Sequence, residues 1–224
     1  MENVIKKFNQ APNCSIVFYF GKGFICNGIR IFQKIESIET AARLSQERNI
    51  NWNMNTPTHC VAKIEENTII SADPEGVVKK EINFKKLLKK DILLCLAEPS
   101  IEDEKAKKWQ SAAMRFLEIA KNHQPYDYFG FFSFIYRIIS KIIPIGALPD
   151  YDWEWASFCS ELCAEMFTDI KYGDLLMEIE EDPSCVSPEE LFLKSCQSEN
   201  INMTPLIDKN NHVANLIEEY SQNV

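Results

Sequence analysis

Alternating apolar and polar positions in the first half of the chain predict a small antiparallel sheet. The run 15–20 is rich in β-forming residues and is followed by glycine, so it predicts a strand. Segments 59–64 and 68–72 flank the polar residues 65–67, which predicts a β-hairpin with a three-residue loop. A short and almost wholly apolar run, 92–96, predicts a further strand.

Helical spacing of apolar residues dominates the second half of the chain. Ser100 precedes an apolar stripe that runs to Ala120, which predicts a long helix with Ser100 as its N-cap. Ser187 followed by proline predicts a second helix start, because serine caps a helix and proline suits its first turn. Segment 129–143 is apolar, short and interrupted by charges, which favours a buried helix, with a substrate- or lipid-facing lid as the alternative. Residues 199–224 are interpreted as a polar connection and a short terminal helix.

Composition narrows the classes of function. Hydrophobic residues form 46% of the chain, and no repeat or low-complexity linker divides it, so residues 1–224 are interpreted as one globular domain. The formal charge of −9 without a basic face argues against binding to nucleic acid or to anionic membranes. The chain has no N-terminal apolar signal region, and its cysteines are irregularly spaced, so a reduced, cytoplasmic setting is expected. Scattered histidines and the lack of a close cysteine pair predict no metal site.

Cys159 is the strongest candidate for chemistry. It follows an aromatic segment and begins an amphipathic helix, where unpaired backbone N–H groups and the helix dipole favour a thiolate. A nucleophilic cysteine needs a base, and the chain offers three histidines. His212 lies in the polar tail and His123 ends the long predicted helix, whereas His59 opens a strand. The other seven cysteines are interpreted as small core residues: Cys14, Cys26, Cys60, Cys95, Cys163, Cys185 and Cys196.

The predicted hairpin also supplies groups that could orient His59. With a three-residue loop, position 64 pairs with position 68, and His59 then lies opposite Asp73. Ser71 is one step along on the same face of the hairpin. The register decides between Ser71 and Asp73, and the sequence does not fix it.

These motifs, in this order, resemble a known enzyme family. The chain resembles the circularly permuted branch of the NlpC-type papain-like cysteine hydrolases, and most of all its YiiX-like members, over roughly residues 12–196. The cysteine follows the histidine in permuted members and precedes it in ordinary ones. The matching segments are Thr58-His59, Tyr126-Asp127, Phe158-Cys159-Ser160-Glu161-Leu162 and Ser187-Pro188-Glu189-Glu190-Leu191.

The resemblance implies a fold and a set of site residues. The expected fold is α+β and papain-like, with a small, barrel-like antiparallel sheet packed against helices and the nucleophile at a helix N-terminus. Cys159 would be the nucleophile and His59 the base. Family members carry an acidic residue before alanine on the strand after the histidine, and here that position is Ser71, so Ser71 is the expected third member and Asp73 the alternative. The resemblance also assigns Tyr126 and Asp127 to the substrate cleft, although Asp127 could instead cap the helix that follows.

The expected activity is cleavage of an amide bond by a cysteine peptidase or amidase, without a cofactor. One alternative is lipid acyltransferase or thioesterase activity on the same scaffold, with lipid contact through 129–143. The other is a binding module with weakened catalysis, which the serine in the acidic slot favours. The expected partner is a peptide or an acyl-bearing substrate, with no stable membrane insertion. The oligomeric state is left open.

Overall fold

The chain folds as an α+β protein around one antiparallel sheet, as expected. The computed structural model describes residues 1–22, 29, 56–73, 75–100, 103–123, 159–168 and 186–222. The strands are β1 (Ile16–Phe20), β2 (His59–Glu65), β3 (Thr68–Asp73), β4 (Gly76–Glu81), β5 (Leu93–Pro99) and β6 (Ile201–Ile207). The helices in the described ranges are α1 (Glu2–Gln10), α2 (Phe84–Lys89), α3 (Asp103–His123), α4 (Cys159–Thr168), α5 (Pro188–Gln197) and α6 (His212–Ser221).

The sheet is open, with strand order β4-β3-β2-β1-β5-β6 and antiparallel neighbours throughout. The expectation of a barrel-like sheet is therefore not met, since β4 and β6 form opposite edges and no ladder joins them among the described strands. The strand predictions at 15–20 and 92–96 are confirmed as β1 and β5. β1 and β2 lie at the centre, so the strand that opens with His59 is paired on both sides.

The β2–β3 hairpin is confirmed, but its loop is shorter than predicted. Glu65 pairs with Thr68, so the connection has two residues rather than three. Asn67 adopts φ 52°, a left-handed conformation that asparagine tolerates better than most residues. The register shifts between Lys63 and Glu65, which makes Ile64 the extra residue of a β-bulge.

This bulge preserves the register that a three-residue loop would have given. Ala62 pairs with Ile70, and Lys63 pairs with Ile69. Continued along the two strands, this pairing sets His59 opposite Asp73. Directly opposed residues of an antiparallel pair point to the same face, so both side chains lie on one side of the hairpin. The predicted facing of His59 and Asp73 therefore holds, although the turn that produces it differs.

The predicted C-terminal helix is confirmed as α6, whereas the prediction of a polar connection before it was wrong. Residues 201–207 form β6, which pairs with β5 at the edge of the sheet. Pro205 and the polar residues around it hide the strand pattern, but an edge strand tolerates proline because one side of its backbone has no ladder to complete. Ser100, the predicted N-cap of α3, is followed by two residues outside the described ranges, so its capping role stays a prediction. Its backbone N–H donates to the carbonyl of Asn200, which extends the contact between β5 and the segment before β6.

Helices cover the sheet and complete the core. α4 packs against β2 and β3, and α5 packs against α4, α6 and β6. The predicted start of α5 is confirmed, because the Ser187 hydroxyl accepts a hydrogen bond from the Glu190 backbone N–H at 3.1 Å. Phe192 on α5 meets Phe18 and Phe20 of β1 edge-on, with ring centroids 5.2 and 5.6 Å apart. These contacts bury the sheet face that supports α4.

Candidate active site

Cys159 is the first residue of α4, as the sequence predicts. The next residues of this helix are buried against the sheet, whereas Cys159 itself is partly exposed. The first N–H groups of a helix have no partner within the helix and carry the positive end of its dipole. Cys159 is therefore a partly exposed residue whose thiol lies in an environment that favours its anion.

His59 is the first residue of β2 and lies beside Cys159. Its backbone pairs with Tyr19 of β1, and the two rings lie 5.7 Å apart. The imidazole is half-buried, and it forms a side-chain hydrogen bond with Cys159. The structure thus brings together the two residues that the sequence predicts as nucleophile and base, although they are about a hundred positions apart.

Ser71 and Asp73 act in series behind His59. His59 Nε2 is 3.2 Å from the hydroxyl of Ser71, and that hydroxyl donates to Asp73 Oδ1 at 2.6 Å. Asp73 Oδ1 is itself 4.0 Å from His59 Nε2, and its other oxygen pairs with Lys80. The sequence left Ser71 and Asp73 as alternatives, and the structure uses both, with the serine in direct contact and the aspartate behind it.

Opposing effects set the protonation of the pair. The pKa of Cys159 is well below its usual value. The neighbouring Cys60 thiol lowers it, burial opposes this shift, and the charge and hydrogen bond of His59 lower it further. Burial lowers the pKa of His59, but the Cys159 thiolate and the Asp73 carboxylate outweigh it, so the net shift is upward. Both shifts favour a thiolate beside an imidazolium.

Asp73 remains ionised although it is mostly buried. Burial raises the pKa of its carboxyl group, but hydrogen bonds from Lys80 and Ser71, together with the charges of Lys80 and His59, lower it further than burial raises it. A negative charge therefore persists behind His59, which favours the protonated ring.

Cys60 is the site residue that the sequence interpretation missed. It is fully buried, as expected of a core cysteine, but its sulfur donates to the carbonyl of Cys159 at 3.3 Å. Burial, together with the neighbouring Cys159 and Cys163 thiols, raises the pKa of Cys60 well above its usual value. Strand alternation turns Cys60 away from the face of His59 and toward α4. Its position directly after the candidate base was the available signal.

The remaining candidates fall elsewhere. Tyr126, Asp127 and segment 129–143 lie outside the described residues. His123 ends α3, and His212 begins α6, where its half-buried ring packs edge-on against Phe20 at 6.2 Å. Within the described ranges, no helix combines the length and apolarity needed to cross a membrane, and no group of three or more His, Cys, Asp or Glu side chains is arranged to hold a metal ion.

Comparison with known proteins assigns no family to this site. No protein-family model, curated protein or solved structure matches the chain. Any function must therefore be argued from the geometry of Cys159, His59, Ser71 and Asp73, together with the resemblance in motif order.

Proposed function

We propose that this protein is a cysteine hydrolase of the peptidase or amidase type, with Cys159 as nucleophile and His59 as base. The observation that carries the proposal is the hydrogen bond between a partly exposed thiol at a helix N-terminus and a histidine from a central strand. A nucleophile and base in hydrogen-bond contact, with a third group that orients the base, form the usual arrangement for covalent catalysis. On this proposal the fold is a permuted papain-like one.

The hydrogen bonds behind His59 select the tautomer that catalysis needs. The Ser71 hydroxyl has one proton, and it donates that proton to the Asp73 carboxylate. Its oxygen must therefore accept from His59, so Nε2 carries a proton. Nδ1 is then the nitrogen that exchanges a proton with Cys159. Ser71 and Asp73 are positioning residues in this mechanism, since they act through the ring.

The reaction begins from the ion pair of Cys159 and His59. The thiolate attacks the carbonyl carbon of an amide, and the oxygen that becomes negative is held by backbone N–H groups in the first turn of α4. The His59 imidazolium then donates its proton to the leaving amine, which breaks the carbon–nitrogen bond and leaves a thioester on Cys159. His59, now neutral, takes a proton from water as the water attacks this thioester; the carbon–sulfur bond then breaks, which releases the product acid and restores the ion pair of Cys159 and His59.

The departure from the family pattern is compatible with this mechanism. The acidic slot holds Ser71, which alone would orient His59 without a charge. Asp73 supplies the charge, because it bonds to Ser71 and lies 4.0 Å from the ring nitrogen. This arrangement weakens the argument for a binding module, which rested on the missing acid.

Labelling with reactive probes tests the proposal without a known substrate. We expect a peptide with an electrophilic warhead to modify Cys159 selectively, as mapped by mass spectrometry of the digested protein. Cys159→Ala should abolish that labelling, and Cys196→Ala, a matched change of a buried thiol on α5, should leave it intact. Hydrolysis of a peptide library by Cys159→Ala at the wild-type rate would contradict the proposal.

The same experiment separates the alternatives. Modification by a fluorophosphonate-lipid probe in place of the peptide probe would favour action on acyl lipids. A Cys159 that reacts with iodoacetamide only near the free-thiol pKa of about 8.5 would favour a binding module. An activated thiol reacts well below that pH, and this is the result that we expect.

A further inference from the structure

Cys60 lies between two other thiols at the junction of β2 and α4. Its sulfur donates to the Cys159 carbonyl oxygen at 3.3 Å, and the nearby Cys159 and Cys163 thiols add to the effect of burial in raising its pKa. Cys159 and Cys163 are four residues apart on α4 and so share one face of that helix. All three are free thiols. The hydrolytic mechanism uses only one of them as a nucleophile.

We propose that Cys60 is a resolving cysteine that closes a reversible disulfide with Cys159 when a peroxide oxidises the nucleophile. This inference rests on the proposed function to the extent that both use the Cys159 thiolate. It goes beyond that function by proposing that the same sulfur is a site of oxidation and that its oxidised form is inactive. The disulfide removes the nucleophile, and reduction by a small thiol restores it.

The chemistry balances with the peroxide as the sole oxidant. The Cys159 thiolate attacks one peroxide oxygen, the O–O bond breaks, and the products are a sulfenic acid on Cys159 and water or an alcohol. The Cys60 sulfur then attacks the sulfenic sulfur, the S–O bond breaks, and the leaving hydroxide takes the Cys60 proton to become water. In total the two thiols lose two hydrogens and the peroxide gains two.

The geometry favours Cys60 over Cys163 as the resolving thiol. Residues four apart on a helix have Cβ atoms about 6 Å apart, whereas a disulfide needs about 4 Å. Cys159 and Cys163 could therefore join only if α4 were distorted. Cys60 comes from a different element, and its sulfur already lies 3.3 Å from the carbonyl oxygen of Cys159, so joining the two sulfurs does not require α4 to be distorted.

Access to oxidants points the same way. Cys159 is the partly exposed member of the cluster, whereas Cys60 and Cys163 are buried. A peroxide from solvent therefore meets the ionised, exposed thiol first. The buried thiol then captures the sulfenic acid before a second oxidant does, which prevents irreversible oxidation to the sulfinic acid.

The test is peptide mapping of the full chain after oxidation. The protein is treated with a small excess of hydrogen peroxide, free thiols are blocked with N-ethylmaleimide, and a non-reducing digest is analysed by mass spectrometry. We expect the peptides of Cys60 and Cys159 to be joined, and dithiothreitol to restore nearly all iodoacetamide labelling of Cys159. Direct oxidation of Cys159 to sulfinic acid, or a disulfide between Cys159 and Cys163, would overturn the inference.

Variants sharpen the result. Cys60→Ser should lose the cross-link, and the labelling that dithiothreitol recovers at Cys159 should fall at least about tenfold at the same peroxide dose, as sulfinic acid accumulates. Cys163→Ala should retain the cross-link, and so should Cys95→Ala, a control at a buried thiol on β5. If Cys60→Ser fails to fold, the wild-type map and Cys163→Ala still decide the question.

The outcome is independent of hydrolysis. A cross-link without modification by any substrate-like probe would support the redox site and contradict the hydrolase. Modification by the peptide probe without a cross-link would support the hydrolase and contradict the redox site.

Discussion

Asp73→Asn removes the charge behind His59 while leaving its hydrogen bonds largely in place. Asparagine has nearly the same shape as aspartate, and its side-chain oxygen can still accept from Ser71. The change therefore separates two contributions of Asp73, the orientation of the ring through Ser71 and the electrostatic support of the imidazolium. We expect the orientation to survive and the pKa of His59 to fall, because a negative charge nearby stabilises the protonated ring.

The size of the fall follows from the distance between the two groups. Unit charges 4 Å apart interact by about 1 kcal/mol in water and about 4 kcal/mol at the effective dielectric typical of a protein surface. Asp73 and His59 are separated by 4.0 Å, with side chains 18% and 32% exposed, so a value between these limits applies. Lys80 pairs with the same carboxylate and offsets part of the field. About 1–2 kcal/mol remains, which corresponds to about one unit of pKa.

The pKa of His59 can be measured directly by nuclear magnetic resonance. The chain has three histidines, so the Cε1–H region of a carbon–proton spectrum contains three signals, and His59→Gln identifies the one of interest. Its titration midpoint should drop by about one unit in Asp73→Asn. The pH range in which thiolate and imidazolium coexist then loses about one unit on its alkaline side, since the lower pKa of His59 releases the proton earlier.

A matched control excludes a general effect of lost charge. Glu65 forms an exposed ion pair with Lys79 at 3.0 Å on the same sheet, and Glu65→Gln removes the same charge at the far end of β2. We expect the midpoint of His59 to be unchanged in this variant. An unchanged or raised midpoint in Asp73→Asn, or an equal drop in both variants, would refute the assigned role of Asp73.

Three further predictions concern the scaffold, each measured as the free energy of unfolding in urea. Phe192→Ala should cost about 3–5 kcal/mol because it leaves a cavity between α5 and the sheet. Ile119→Ala, a control at a side chain that is 59% exposed, should cost little. Similar losses in the two variants would argue against the packing of Phe192 on the sheet. Ser187→Ala should cost about 1 kcal/mol through loss of the α5 cap, and no change would contradict the capping role. Trp109→Phe should cost about 1–3 kcal/mol because the Met166 carbonyl loses its indole donor. A variant as stable as wild type would refute the contribution of this hydrogen bond.

The parts of the fold that were predictable are those determined by local pattern. The hairpin that carries His59 was visible in alternation and a polar turn, and the α5 start was visible in a serine followed by proline. The facing of His59 and Asp73 was predictable for a subtler reason. The loop is one residue shorter than predicted, and the bulge at Ile64 adds one residue to β2. These two changes cancel, so the pairing between β2 and β3 beyond the bulge is the one expected.

The parts that were missed depend on partners distant in the sequence. β6 contains a proline and several polar residues, and its strand conformation comes from pairing with β5, about a hundred positions earlier. The role of Cys60 was hidden for the same reason. A cysteine in an apolar strand is usually a core residue, and only the position of α4 shows that this one faces Cys159.

The relay behind His59 explains why a second support for the thiolate matters at this site. A carboxylate in direct contact with the imidazole would provide both orientation and a strong field. Here Ser71 takes the contact, so the charge of Asp73 acts from 4.0 Å and is shared with Lys80. The ring is therefore held firmly in one tautomer, but its positive charge is stabilised less than by an acid in contact. The Cys60 thiol acts on the other partner of the ion pair, and together with His59 it lowers the pKa of Cys159. In a site organised in this way Cys60 and His59 both support the ionised thiol, and the position of Cys60 beside Cys159 also makes it the proposed partner for a disulfide.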